Sequence, residues 1–214
     1  MNCGDVFLKV NQAQRFPELF ESVRDGLKTL KEKSLFLIPT PLEAGIYMNQ
    51  AYLLMEYIPF ESTGDWGAFG TLLANMHEQT QDYFGLERSN YIGSIVQENN
   101  PKETWAEFYS ELRLYPLMKK MIDQQLLSIH DAKHLDALVK ELSSIYPHEK
   151  PALLHGDLWS GNASFLKRKP SIYDPAVYYG HREMDIAMTY LFGGFPDEMI
   201  NAYIASFPLE KGWR

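Results

Sequence analysis

Three oxygen-bearing side chains in the segment 153–179 stand out by their types and their spacing. Asp157 and Asn162 lie five positions apart in LLHGDLWSGN, and Asp174 follows the apolar pair of SIYDP. Short apolar runs precede both acidic residues, so we predict short β-segments that end in loops carrying these side chains. Such loops can bring two carboxylates and one amide together.

The chemistry that suits this set is the transfer of a phosphoryl group from a nucleotide to a hydroxyl. Asp157 would accept the proton of the attacking hydroxyl, while Asn162 and Asp174 would hold Mg²⁺, which prefers hard oxygen ligands. The order D-x-x-x-x-N followed by a second Asp is that of the catalytic and metal-binding loops of kinases. Asp and Asn are also frequent in turns, so a surface turn with helix caps is the alternative.

The segments HGDLWSGN, YDPA and YYGHREMDIAMTYLFGGF closely resemble the fructosamine kinase, or ketosamine-3-kinase, family. This family belongs to the aminoglycoside and choline kinase-like group, which has the protein-kinase-like fold. The likeness extends from about Val6 to Trp213. Trp159 favours the fructosamine kinases over the wider group, because that group usually varies after HGD. The resemblance implies ATP-dependent phosphorylation of a ketosamine, a sugar adduct on an amine, at its 3-hydroxyl, with ATP and Mg²⁺ as cofactors.

The resemblance also implies an α+β, two-lobe fold. Residues 1–58 would form a small, mostly antiparallel and incomplete β-rich N-lobe, and residues 59–214 a larger helical C-lobe with the catalytic and metal-binding loops. A chain of 214 residues with 45% hydrophobic content is long enough to bury such a core.

Lys9 lies inside the predicted strand VFLKV, and FLKV resembles the strand of the family whose lysine contacts the α- and β-phosphates. A solvated edge lysine is the alternative. A phosphate-binding lysine needs a carboxylate from the next helix, which we predict over residues 16–33. The family helix reads approximately FEAEAEGL and this chain reads FESVRDGL. Glu21 is therefore the expected partner of Lys9, and Val23 stands where a second glutamate is expected.

Only eight residues precede Lys9. The glycine-rich hairpin of kinase-like folds, two strands and a turn, needs about 15 residues. We therefore expect the phosphate-covering loop to be incomplete in this chain, with Gly4 as a remnant at most. Family members also continue past Trp213. A truncated, non-catalytic nucleotide-binding remnant is accordingly one alternative function.

A near-continuous apolar strand, YLLMEYIP, is expected to lead into the hinge that binds adenine through its backbone. We assign that contact to Glu56 and Ile58. An ordinary strand end is the alternative.

Substrate contacts are expected from two places. The loop from Phe84 to Asn100 has no periodic pattern and resembles the family's FGF…NYIGSTPQ segment. Its Asn90, Tyr91 and Gln97 could bind a hydroxyl-rich ligand or contact a helix. Trp159 could pack on a sugar ring or an amine substituent, or fill the core. Choline and aminoglycoside kinases lack both features, and a kinase of such another small-molecule hydroxyl is the second alternative.

Several polar residues near these motifs are expected to act structurally. His77 lies on the apolar stripe of a helix predicted over residues 65–80 and is expected to be a satisfied core residue. His155 is expected to anchor the catalytic loop through backbone contacts. Asp185 and Glu183 are expected to hold that loop in position without taking part in catalysis.

The composition limits partners and location. The net charge of −8 argues against binding to nucleic acid, which requires clustered Lys and Arg. The single cysteine, Cys3, excludes an intrachain disulfide and is typical of a reducing compartment. The start, MNCGDVF, has neither the basic region nor the apolar region of a signal peptide. No apolar run in the sequence approaches the length of about 18 residues that a membrane-spanning helix needs. These features predict a cytoplasmic protein that does not bind membranes, and they leave the oligomeric state open.

Overall fold

The N-terminal part of the chain is a three-stranded antiparallel sheet with one helix. The structure, a computed structural model, describes residues 5–213, so Cys3 and Gly4 lie outside the described residues. The elements in this part are β1 (Val6–Gln12), α1 (Leu19–Lys33), β2 (Pro41–Tyr47) and β3 (Gln50–Glu56). The strand order is β1-β3-β2, and Lys9 of β1 is paired with Leu53 of the central strand.

Helix α1 forms where its apolar residues recur every three or four positions. Phe20, Val23, Leu27 and Leu30 are all buried, as the spacing predicts. This stripe packs α1 against β2 and β3 of the sheet.

The hairpin of β2 and β3 begins earlier than the sequence suggests. The run from Leu35 to Pro41 predicts a short strand leading to a turn, with Pro39 and Pro41 as breakers. In the structure only Leu37 forms a bridge there, with Ser171, and β2 starts at Pro41. Proline lacks the N–H that a strand ladder needs, so Pro39 interrupts that strand. The two-residue turn of the hairpin has positive φ at both Met48 (46°) and Asn49 (64°), which matches the twist of the strands.

The rest of the chain is mainly helical, with three two-stranded sheets. Its helices are α2 (Trp66–His77), α3 (Trp105–Tyr109), α4 (Tyr115–Asp123), α5 (Ile129–Ile145), α6 (Glu183–Thr189) and α7 (Asp197–Ser206). Its strands are β4 (Asn90–Ile92), β5 (Ile95–Gln97), β6 (Ala152–Leu154), β7 (Ala163–Leu166), β8 (Lys169–Ile172) and β9 (Tyr178–Gly180), paired as β4-β5, β6-β9 and β7-β8. No helix within residues 5–213 combines the length and the apolarity that crossing a membrane requires.

The apolar spacing over residues 104–125 predicts one long helix, with Arg113 in a salt bridge to a neighbouring helix. In the structure this helix is interrupted. A π-helical turn, Ser110–Leu114, separates α3 from α4, and Pro116 lies in the first turn of α4. The proline ring clashes with a preceding carbonyl in a regular helix, and the π-turn relieves that clash. Arg113, expected in a salt bridge, instead donates hydrogen bonds to the Glu98 carbonyl and to Asn99 Oδ1, both at 2.6 Å.

The apolar spacing over residues 130–146 predicts a helix with Leu135, Leu138, Val139 and Leu142 in the core, which is wrong in part. Leu142 is buried at 2% exposure, whereas Leu138 is 45% exposed. Helical spacing predicts which side chains share a face, but not whether another element covers that face.

Helices α2 and α7 pack closely against each other. A Cβ at Gly70 would lie 2.1 Å from the carbonyl oxygen of Met199. We expect Gly70→Ala to push the helices apart and to lower the free energy of unfolding by about 1–3 kcal/mol, as measured by urea denaturation. Gly67→Ala in the same helix is the matched control, because its Cβ would meet side chains and no backbone, namely Glu198 Oε1 at 3.3 Å and Asp65 Oδ1 at 3.5 Å. Equal effects of the two substitutions would contradict this explanation.

Candidate active site

The loop that follows β6 carries the first predicted site residue. Gly156 has a φ of 80°, and a Cβ there would lie 2.1 Å from the carbonyl oxygen of Ala176. Glycine is required for both reasons. This close approach brings Asp157 next to the segment that follows Asp174.

Two buried side chains fix the backbone of this loop. Asp185 accepts hydrogen bonds from the backbone N–H groups of His155 (2.7 Å) and Gly156 (2.9 Å). It also lies 3.3 Å from His77 Nε2, and His77 Nδ1 lies 2.9 Å from the Tyr203 hydroxyl. The expected roles of His77 as a satisfied core residue and of Asp185 as a support of the loop are confirmed.

Glu183, the other expected support, does not make such contacts. Its Oε1 atom is buried and has no hydrogen-bond partner among the described residues. Burial and the nearby carboxylate of Glu149 raise the pKa of Glu183. The expectation that Glu183 fixes the catalytic loop is therefore wrong. The residue instead lines a cavity on the outer side of α6.

His155 acts as a backbone anchor, as predicted. Its Nδ1 atom accepts a hydrogen bond from the Asp157 N–H at 3.3 Å, so Nε2 carries the proton and donates to the Tyr173 carbonyl at 3.1 Å. Burial lowers the pKa of His155, which keeps the ring neutral. The imidazole thereby links the Asp157 loop to the strand end that carries Asp174.

Asn162 is in direct contact with Asp157. Its Nδ2 atom donates to the Asp157 backbone carbonyl at 2.9 Å and to the Asp157 carboxylate at 3.0 Å. Because the amide nitrogen makes these bonds, the Oδ1 atom is the group of Asn162 that could bind a cation. The five-residue spacing therefore closes the loop upon itself and orients both side chains.

Asp174 reaches the same region from the end of β8. Its φ of 58° is unusual for a residue other than glycine, and such backbone conformations are concentrated at functional sites. Its Oδ1 atom accepts a hydrogen bond from Lys9 Nζ at 2.5 Å. Lys9, Asp157 and Asp174 together line a cavity of about 350 Å³ that α1 closes with Phe20 and Val23.

The electrostatics of the cavity favour a proton acceptor at Asp157. Burial raises the pKa of Asp157, and the carboxylates of Asp174 and Asp185 raise it further, while His155 and the Asn162 hydrogen bond lower it. A raised pKa strengthens a carboxylate as a base.

The predicted ion pair between Lys9 and Glu21 is not formed. The carboxylate bound to Lys9 is that of Asp174, whereas Glu21 faces a second cavity of about 440 Å³ between α1 and the loop around Asn90. A helix presents positions two residues apart to different directions. Val23 lines the cavity that contains Lys9, and Glu21 does not. The sequence contained the signal for this, since Val23 stands where the second glutamate is expected.

Glu56 and Ile58 lie at the end of β3 and just beyond it. The Glu56 side chain accepts hydrogen bonds from Thr40 Oγ1 (2.7 Å) and Thr40 N–H (3.2 Å). The Ile58 carbonyl accepts from the Phe60 N–H at 2.9 Å. Sequence reasoning missed a stack of the Phe60 and Tyr173 rings, 4.8 Å apart, that joins this segment to the residue before Asp174. The adenine contact itself stays a prediction.

The amides predicted to bind substrate are used within their own loop. Asn90 Nδ2 donates to the Val177 carbonyl at 2.7 Å, and Asn90 Oδ1 accepts from Gln97 (3.2 Å) and Asn99 (3.0 Å). Both Asn90 and Gln97 are buried. These contacts are structural, because they hold the β4-β5 hairpin against the segment that follows Asp174. A substrate contact from either amide stays a prediction.

Tyr91 and Trp159 are better placed for ligand contact. Tyr91 lines the cavity of Lys9 and Asp157, and its hydroxyl donates to the Pro17 carbonyl at 2.8 Å. The Trp159 ring covers Gly161, where a Cβ would lie 2.2 Å from it, and meets the Phe192 ring edge-on at 5.5 Å. Phe192 is 75% exposed. Trp159 itself is only partly buried, so it does not fill the core.

The donors at this site suit Mg²⁺ in kind. Residues 5–213 contain no group of three or more His, Cys, Asp or Glu side chains arranged around one metal position. Mg²⁺ does not require such a group, because it usually binds one or two carboxylates together with waters and substrate phosphates. Asp174 and Asn162 provide hard oxygen atoms of this type.

Comparisons with known proteins identify the family of this chain. A sequence model described as fructosamine kinase matches residues 1–214. The chain is 40% identical over 211 residues to a probable ketoamine kinase of Enterococcus faecium, covering 97% of this chain and 75% of the relative. It is 37% identical over 220 residues to the chloroplastic protein-ribulosamine 3-kinase of Arabidopsis thaliana, covering 99% and 66% respectively.

The structural comparison gives the same result. The fold superposes on the crystal structure of a Haemophilus somnus protein assigned to the fructosamine-3-kinases, with a TM-score of 0.88 and 28% identity over 99% of this chain and 72% of the other. The predicted α+β, kinase-like fold is confirmed. Sequence and structure agree that this chain belongs to the fructosamine kinase family.

Proposed function

We propose that this chain is an ATP- and Mg²⁺-dependent phosphotransferase that acts on a sugar hydroxyl of a ketosamine, with the 3-hydroxyl as acceptor. The observation that carries the proposal is the shared cavity of Lys9, Asp157 and Asp174, with Asn162 bonded to Asp157. The family is one of kinases, which use ATP, and relatives are named ketoamine kinase and protein-ribulosamine 3-kinase.

Each polar side chain has a role in this mechanism. Asp157 orients the acceptor hydroxyl and takes its proton as the oxygen attacks the γ-phosphorus, while the bond from that phosphorus to the β-phosphate oxygen breaks and ADP leaves. Lys9 contacts the α- and β-phosphates. Asn162 Oδ1 and Asp174 would hold Mg²⁺, which when bound spreads the negative charge of the phosphates. Positioning supplies most of the catalysis in a loose phosphoryl transition state.

The nucleotide base would bind where β3 ends. We assign the adenine contacts to the backbone carbonyl of Glu56 and the N–H of Ile58, since the Ile58 carbonyl already accepts from Phe60. This assignment divides the chain into a nucleotide-binding unit of residues 1–58 and a catalytic unit of residues 59–214.

The acceptor would bind on the side of Asp157 where aromatic rings are available. Trp159, supported by Phe192, offers a flat face for the sugar or its amine substituent. Tyr91 borders the same cavity as Asp157. We further assign the protein to the cytoplasm, because its single cysteine suits a reducing compartment, and its net charge of −8 does not suit nucleic acid.

The test is transfer of label from radioactive ATP to a panel of acceptors. The panel contains fructosyl-lysine, ribulosyl-lysine, choline and an aminoglycoside, each with and without Mg²⁺. We expect label on the two ketosamines only, dependent on the cation and lost in Asp157→Ala. Label on choline or the aminoglycoside alone would overturn the ketosamine assignment. Absence of any transfer, with nucleotide binding retained, would favour the non-catalytic alternative.

The pH dependence of the reaction follows from the environment of Asp157. Only the deprotonated carboxylate can accept a proton, and burial raises the pKa of this group. We therefore expect kcat/KM to fall as the pH decreases through a value above the ordinary pKa of aspartate, about 3.9. The measurement is kcat/KM against pH, with circular dichroism at each pH to show that the protein stays folded. An acid limb at or below the ordinary value would contradict the assignment of the base.

A further inference from the structure

Lys9 forms its ion pair with a carboxylate of the loop after β8. A phosphate-binding lysine is expected to pair with a carboxylate of the helix that follows its strand. Lys9 Nζ is 2.5 Å from Asp174 Oδ1, and the two side chains are 30% and 42% exposed. The residues of α1 that line the same cavity are Leu19, Phe20 and Val23, and none of these apolar side chains can form an ion pair. Val23 is 7% exposed. Among the described residues, Lys9 therefore depends on Asp174 for its ion pair.

This arrangement gives one carboxylate two tasks. Asp174 is the proposed metal ligand, and its Oδ1 atom is also the acceptor for the ammonium group of Lys9. A cation that binds Asp174 has to displace or approach that ammonium, and like charges a few ångströms apart repel each other. The second carboxylate that lines this cavity is that of Asp157. It accepts a hydrogen bond from Asn162 and does not replace Asp174 as the partner of Lys9.

We propose that Lys9 and the divalent cation compete for Asp174, and that Val23 sets the strength of this competition by leaving Lys9 without a carboxylate from α1. The inference rests on the proposed function, in which Asp174 binds the metal and Lys9 the phosphates. Metal binding at Asp174 releases Lys9 towards the nucleotide. A nucleotide that engages Lys9 in turn frees Asp174, so the two ligands assist each other, since such coupling is reciprocal.

The first test measures binding of Mn²⁺ alone, followed by electron paramagnetic resonance in the absence of nucleotide. We expect Lys9→Met to bind Mn²⁺ about five- to tenfold more tightly than the natural sequence, because the competing ammonium is removed. We expect Val23→Glu to do the same, because a carboxylate on α1 would draw Lys9 away from Asp174. Val23→Gln is the matched control, because glutamine is similar in size to glutamate but carries no charge. This variant should bind Mn²⁺ as the natural sequence does.

A double substitution separates competition from a simple gain of negative charge. If Glu at position 23 acts through Lys9, its effect is lost when Lys9 is already Met, so Lys9→Met/Val23→Glu should match Lys9→Met. An additional gain in the double variant would show that the new carboxylate attracts the metal directly. If Val23→Glu does not fold, Lys9→Met still decides the proposal, because it leaves α1 unchanged.

The second test measures coupling between the ligands. The Kd of ADP is determined with and without Mn²⁺, and we expect the cation to tighten ADP binding by at least about fivefold in the natural sequence and less in Val23→Glu. Unchanged Mn²⁺ affinity in Lys9→Met would overturn the competition. Asp174→Asn separates the assignment of Asp174 as a metal ligand from the proposed competition with Lys9. If it abolishes Mn²⁺ binding, the metal site stands even when the competition fails. If it binds Mn²⁺ normally, both the metal assignment and this inference fall.

Discussion

Replacing Asp157 by Asn is expected to lower kcat by about 10²- to 10⁴-fold, the usual contribution of a positioned general base. Asparagine has nearly the same shape and keeps an oxygen that can accept the hydrogen bond from Asn162 Nδ2, which is 3.0 Å long in the structure. The loop should therefore stay in place, and what is lost is the ability to take a proton. The measurement is kcat with the ketosamine acceptor, together with the Kd of ATP, which should change little.

The control for this prediction is Asp123→Asn. Asp123 lies on α4, is exposed, and forms an ion pair with Lys119 at 2.6 Å. Surface pairs of this type contribute little to stability, so kcat should remain unchanged. Full turnover in Asp157→Asn would mean that the proton leaves by another route, and Asp157 would then not be the base.

Replacing Asp185 by Ala is expected to have the largest effect on stability. This carboxylate is 1% exposed and accepts hydrogen bonds from the backbone N–H groups of His155 and Gly156. A buried donor left without an acceptor costs about 1–3 kcal/mol, so the loss of both bonds should lower the free energy of unfolding by about 2–6 kcal/mol. Turnover should fall as well, because these bonds fix the loop that presents Asp157.

Urea denaturation followed by circular dichroism measures this effect. Asp185→Asn retains one acceptor oxygen and should lose about half as much stability, which keeps the prediction measurable if the alanine variant does not fold. Asp82→Ala, at an exposed position after α2, is the control and should change the free energy of unfolding by no more than about 0.5 kcal/mol. Equal stability of Asp185→Ala and Asp82→Ala would show that the loop does not depend on these bonds.

Much of the site could be predicted because its signals are local. A short apolar run encodes β6, and the apolar pair Ile172 and Tyr173 marks the end of β8. Asp157 and Asp174 follow these strands within a few residues. The five-residue spacing places Asn162 against Asp157. Periodicity likewise predicted the buried face of α1. In each case neighbouring residues in the chain determine the result.

Other features depended on which elements cover one another. The amides of Asn90 and Gln97 look available in the sequence, but they are buried against each other and against Val177. Leu138 of α5 belongs to the apolar positions that the periodicity assigns to the core, and its side chain is nevertheless 45% exposed. A sequence pattern predicts that a face is apolar, while the packing of distant elements decides whether it is buried.

The sequence by itself determined the chemical groups of this protein, their order and the strands that carry them, since these depend on residue types and short spacings. Only the tertiary structure decided which charges became neighbours. Lys9 and Asp174 are 165 positions apart along the chain, yet their side chains meet at 2.5 Å, while Glu21, only 12 positions from Lys9, faces another cavity. Ion pairs between distant segments form only after the sheet, α1 and the loop beyond β8 have packed, because that packing fixes both distance and direction.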